Sequence, residues 1–210
     1  MVTALLTCLL PSCATEPTSG TSAAPSEATT PGSSTSPTEP TEPTETSPAH
    51  GFRVVPDAGF PADEDLQRLA ERFVAYAVGD ATSFPHARTI SLSIGGRAAG
   101  SLEGTGTAPT DRGTWERCPA GSETYGAASC PVDLLGPLES AVVNETTIVH
   151  TTDRAAVTCA PTRSGPLPAG RPVVLRPSPE WRTCATDFAL ALVADGQGRL
   201  RSVDLTLSSP

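Results

Sequence analysis

The sequence predicts an α+β domain in which one helix near the start packs on a mostly antiparallel sheet. Three observations carry this. Apolar residues at helical spacing open the part of the chain able to fold, period-two alternation recurs through the remainder, and the chain closes on two alternating runs joined by Asp195-Gly196-Gln197-Gly198. A helix followed by strands that return on themselves buries its apolar stripe by lying across one face of the sheet.

Residues 1–49 do not belong to that domain. Val2 to Leu10 form an apolar run ending in Leu10-Pro11-Ser12-Cys13, with polar residues directly after it. The arrangement resembles the lipobox of bacterial lipoprotein signal peptides. That resemblance implies cleavage after residue 12, a lipidated Cys13 as first mature residue, and a protein held on the outer face of the cell membrane. Two acyl chains, each buried CH₂ contributing about 0.8 kcal/mol, suffice for a stable anchor where one does not. Pro11 replaces the more usual Ala or Ser, and no Lys or Arg precedes the apolar run, so the natural chain is expected to begin upstream of Met1. Ordinary signal-peptidase cleavage near Ala14 is the competing reading. Cys8 lies inside the apolar run behind Thr7 and is the weaker candidate for lipidation.

Residues 14–49 hold ten Thr, seven Ser and seven Pro, with five Glu, no Arg and no aromatic residue. Such a tract offers too little apolar surface to offset backbone entropy, and its prolines favour extended geometry. It is expected to be a disordered tether, 13–49 with the anchor included, carrying a single domain over 50–210.

Within 50–210, Asp63 is the expected N-cap of a helix. Glu64 and Asp65 suit its first turn, Leu66, Leu69, Phe73 and Ala77 form its buried stripe, and Gly79 ends it. Thr89 to Ile94 alternate as a strand, and Gly95-Gly96 form a tight turn requiring positive φ. Pro137 to Val143 read as a short helix, and Thr146 to His150 and Pro172 to Arg176 as strands. Phe188 to Val193 and Leu200 to Leu207 form the closing hairpin, expected to bury one face and leave the other near solvent.

Four cysteines remain in the domain. In an exported chain they read as two disulfides, expected as Cys118–Cys130 and Cys159–Cys184, because each closes a Pro/Gly-rich segment with little core of its own. Their spacing lacks the paired ligands of a structural zinc site.

The order of elements, together with Trp115-Glu116-Arg117-Cys118-Pro119 and Cys184 ahead of the last hairpin, resembles uncharacterised lipoproteins of high-GC Gram-positive bacteria. Element order alone is also similar to the cone-shaped NTF2-like domains. The latter resemblance implies a pocket between helix and concave sheet for a small apolar ligand, and it places no catalytic residue. Tyr76, Trp115 and Trp181 are the expected lining residues of such a pocket.

Composition narrows the function classes. The domain carries 18 Asp and Glu against 14 Arg, and the whole chain contains no Lys. With no basic stripe interleaved with aromatics, nucleic acid is not an expected partner. The three histidines, His50, His86 and His150, sit in no nucleophile-elbow context, and His150 with Asp153 reads as a surface pair. Gly95, Gly100 and Ser101 have phosphate-loop spacing but lack the lysine. The expectation is therefore a non-catalytic binding or accessory domain without metal or cofactor, its partner a small apolar molecule or an envelope component. A structural or protein-interaction module is the alternative, and a secreted enzyme the least favoured reading.

Overall fold

A computed structural model describes residues 53–209 apart from 105–108, 110, 127, 155 and 162–165. Cys13, the apolar leader and the Ser/Thr/Pro tract lie outside the described residues. No described helix is long and apolar enough to cross a membrane.

In chain order, β1 (Val54–Pro56) leads into α1 (Glu64–Ala77), β2 (His86–Ile94) and β3 (Arg97–Glu103). Four two-residue strands follow: β4 (Glu116–Arg117), β5 (Thr124–Tyr125), β6 (Ala128–Ser129) and β7 (Val132–Asp133). Then come α2 (Gly136–Val143), β8 (Ile148–Thr151), β9 (Arg171–Pro177), β10 (Phe188–Ala194) and β11 (Leu200–Leu207). Seven strands form one sheet in the order β1-β8-β9-β10-β11-β2-β3. Its pairings are antiparallel except β1 with β8 and β11 with β2. The architecture is the α+β fold that the sequence predicts, in a mixed, mostly antiparallel form.

The expected cap starts α1. The Asp63 carboxylate accepts from the Leu66 N–H at 3.2 Å, satisfying one of the helix's orphan donors. The same carboxylate pairs with Arg171 at the start of β9, which ties the helix end to the sheet. Chiefly because of that hydrogen bond, Asp63 titrates below the ordinary carboxylate range. Leu66, Leu69, Phe73 and Val74 then meet Ile90, Leu92, Val173, Leu175, Leu190, Leu192, Val203 and Leu205 in one core. Gly95 and Gly96 close the β2–β3 turn at φ +58° and +81°, a region an L side chain enters only at a cost.

The second face of the sheet differs from expectation. All but one residue of β10 is buried, and Ser202 through Thr206 are buried on β11, so the closing hairpin is covered on both sides. Cover comes from the described part of segment 152–170, through Ala156, Val157, Ala160, Pro161 and Leu167. It is held at Cys159 by a disulfide to Cys184, with a Cα–Cα distance of 5.2 Å. Alongside, the Thr158 N–H donates to Asp187 at 2.8 Å. At its far end, Gly170 (φ +150°) passes so close to β10 that a Cβ there would stand 2.5 Å from Val193 Cγ1. Two-sided burial also explains Arg176 on this face. Its guanidinium pairs with Asp187 at 3.1 Å, the two side chains being 3% and 0% exposed.

The other expected disulfide is present as two neighbouring thiols, not as a bond. Pairing of Arg117 with Val132 in the β4–β7 ribbon brings Cys118 and Cys130 to the base of one loop. The hydrogen bond to Cys118, with desolvation second, pushes the Cys130 thiol up to about 11.

His150 also departs from the surface pairing expected of it. It is 0% exposed on the core face of β8, its cross-strand partner is Leu175, and the Phe60 ring meets it edge-on at 4.5 Å. Among the described residues neither ring nitrogen has a hydrogen-bond partner. The strand's period decides this: Ile148 and His150 share one face, and that face is the core.

Candidate functional site

The sheet's second face carries the candidate site. The small side chains of Ala189 and Ala191 stand in the middle strand of the set β9-β10-β11, where larger residues would reach the covering segment. Ala191 is flanked by Val174 on β9 and Asp204 on β11. Opposite them lie Ala156, Val157, Ala160, Pro161 and Leu167 of segment 152–170. Between the two layers is a pocket of about 490 Å³, completed by Thr206 and by Arg154, an exposed residue. That volume falls in the range of small-molecule sites, which combine an apolar lining with a few polar groups.

The polar groups come from β11. Asp204 is 2% exposed, and its Oδ1 accepts from the Ser93 hydroxyl at 2.5 Å and from the Gly96 N–H at 2.9 Å. The β2–β3 turn therefore orients this carboxylate, a second task for the backbone at Gly95-Gly96. Neighbouring Thr206 is 8% exposed and places a hydroxyl on the same wall. Nothing in the local sequence marks Asp204, since Ser202, Asp204 and Thr206 read as the polar side of a half-exposed strand. Only the covering segment turns that side into a wall.

The space between helix and sheet, where the NTF2-like resemblance implies a pocket, is filled by the core. Tyr76 and Trp115 meet there: the indole N–H donates to the Tyr76 hydroxyl at 3.0 Å, and the residues are 2% and 0% exposed. Phe73 and Phe84 pack around them at ring-centroid distances of 4.9 to 6.3 Å. Burial pushes the Tyr76 phenol above its ordinary value. Trp181 is not brought to this cluster. It ends a short 3₁₀ turn, Pro179–Trp181, half-buried after β9. None of the three lines the pocket on the second face.

Among the described residues no group of three or more His, Cys, Asp or Glu side chains is placed to hold a metal ion. Comparison with known protein families, curated proteins and solved structures finds no match to this chain.

Proposed function

We propose that this chain is a lipid-anchored extracytoplasmic lipoprotein whose folded part binds a small, largely apolar molecule without transforming it. The observation that carries the binding reading is the pocket under segment 152–170, with apolar walls on both layers and two polar side chains on one. Anchoring rests on Leu10-Pro11-Ser12-Cys13 and on the Ser/Thr/Pro tract behind it. The Cys159–Cys184 disulfide supports an oxidising compartment.

The test uses the full chain, expressed in a high-GC Gram-positive host. Cys13→Ser is expected to release the protein from the membrane fraction, and retention of that variant would overturn the anchor. Native mass spectrometry of the detergent-extracted protein is expected to show a small adduct that is lost in Ala191→Leu, whose longer side chain fills the pocket. A folded protein without any adduct would favour a structural or protein-interaction module of the envelope.

A further inference from the structure

We infer that oxidation assembles the pocket: the Cys159–Cys184 disulfide sets one covering turn in place, so the site takes up a ligand only after that bond has formed. The inference rests on the reading that this pocket binds a small molecule. It adds the condition under which binding occurs.

The bond joins the two layers of the pocket. Cys159 stands in the turn Ala156 to Pro161, of which Ala156, Val157, Ala160 and Pro161 line the cavity. Cys184 comes shortly before β10, whose Ala189 and Ala191 line the opposite wall. With the two Cα atoms 5.2 Å apart, covering turn and sheet are fixed to each other at this point.

The same turn is weakly fastened otherwise. Ala156, Thr158 and Cys159 are exposed, and Val157 is its buried side chain. The Ala160 N–H donates to the Val157 carbonyl within the turn itself. Among the described residues, one hydrogen bond leads from the turn to the rest of the domain, from the Thr158 N–H to Asp187. Holding a whole turn of backbone in one conformation costs entropy that a single hydrogen bond and one buried valine do not offset. Cys159 adds to that cost, because its φ of +57° lies in the left-handed region that a residue with a Cβ enters unfavourably. Freed from Cys184, the residue gains by leaving this conformation, and the turn leaves the pocket with it. The covalent tie removes those alternatives.

Forming the bond takes two thiols and an oxidant that carries a disulfide. The thiolate of Cys159, an exposed residue, attacks the donor's disulfide, and one donor sulfur leaves as a thiolate while a mixed disulfide forms. The Cys184 thiolate then displaces the second donor sulfur. The two cysteines give up two electrons and two protons, and the donor departs as a dithiol. In a reducing compartment the reverse exchange keeps both as thiols. On the export route proposed above, the ligand is therefore acquired outside the cell and not carried out of it.

The experiment titrates the full chain with octanol, in one detergent throughout, with Cys118→Ser and Cys130→Ser introduced so that a single cysteine pair responds. Octanol binding is assigned to the pocket by its loss in Ala191→Leu. The protein is measured oxidised, reduced with a phosphine, and reoxidised with glutathione disulfide. Reduction is expected to weaken binding at least about tenfold, within what a disulfide-closed loop contributes, and reoxidation to restore it. Cys159→Ser with Cys184→Ser is expected to match the reduced form without any reagent. Hydrogen exchange is expected to show protection lost at Thr158 while α1 and β10 stay protected. If the reduced form binds octanol as tightly as the oxidised one, the inference is overturned and the pocket reading stands. If α1 and β10 lose protection together with binding, the disulfide supports the whole domain, and the inference is again overturned. If neither form binds octanol and the protein extracted from the envelope carries no adduct, the pocket reading fails and the inference with it.

Discussion

A buried histidine whose ring nitrogens find no hydrogen-bond partner among the described residues should make this domain acid-sensitive, and the size of the effect follows from its surroundings. His150 is wholly buried against Phe60 and Leu175, and among the described residues nothing bonds to Nδ1 or Nε2. Desolvation lowers its pKa, and the opposing attraction of Glu71 on α1 is the smaller effect. The unfolded chain therefore binds a proton near pH 6.5 that the folded one does not, so stability falls as pH drops below about 6.5 and levels off only below the folded pKa. One proton contributes at most about 1.4 kcal/mol per pH unit, hence at most about 2 kcal/mol by pH 5. His150→Leu removes the proton site at similar volume. Burying an unsatisfied polar group costs about 1–3 kcal/mol and the change of shape less than about 1.5, so the variant should gain about 1 kcal/mol at neutral pH. Urea unfolding followed by tryptophan fluorescence at about pH 7.5 and pH 5 measures both quantities. The difference between variant and wild type should widen at the lower pH. A variant that loses as much stability on acidification as the wild type, or that is clearly less stable at neutral pH, would refute the reasoning.

Other perturbations test the covering segment and the remaining cysteines. Replacing Cys159 and Cys184 by Ser opens a loop spanning 25 residues, for which chain entropy gives about 3.5 kcal/mol of lost stability. A loss well under about 1 kcal/mol would mean that segment 152–170 is held mainly by its other contacts. Asp187→Asn takes one charged partner from buried Arg176 and should cost about 3 kcal/mol in the same assay. Most of that loss should return in the double variant Arg176→Met, Asp187→Leu, and failure to recover would assign the effect to the Thr158 contact. Alkylation before reduction of the protein recovered from the cell envelope, the compartment proposed for it, should leave all four domain cysteines unlabelled, Cys118 and Cys130 having oxidised to a second disulfide. Labelling confined to those two would show that they persist as the neighbouring thiols described above.

What was readable in the sequence was local. The cap at Asp63, the stripe of α1, the positive-φ turn at Gly95-Gly96 and the closing hairpin each follow from residues a few positions apart. Periodicity and turn chemistry act over that range. The pairing of Cys159 with Cys184 was likewise an expectation from composition, since Pro-rich chain between them has little core of its own. The parallel pairings of β1 with β8 and of β11 with β2 were not legible, because period two says which face a residue takes and not which strand lies beside it.

Burial of the second face was decided by tertiary structure alone. Segment 152–170 has no regular pattern to read, yet its fastening at Cys159 and Thr158 converts the polar side of β11 into a pocket wall. Tyr76 and Trp115 show the converse. Large amphipathic rings suit a pocket mouth and a core equally well, and the indole N–H finding the Tyr76 hydroxyl allows both to be buried together. His150 is the plainest case: the alternation of β8 assigns it to a face, but only the packing of α1 and Phe60 over that face makes an imidazole a core residue. A side chain's type is written in the sequence, whereas its dielectric surroundings come from segments far away in the chain, and those surroundings set what the group does.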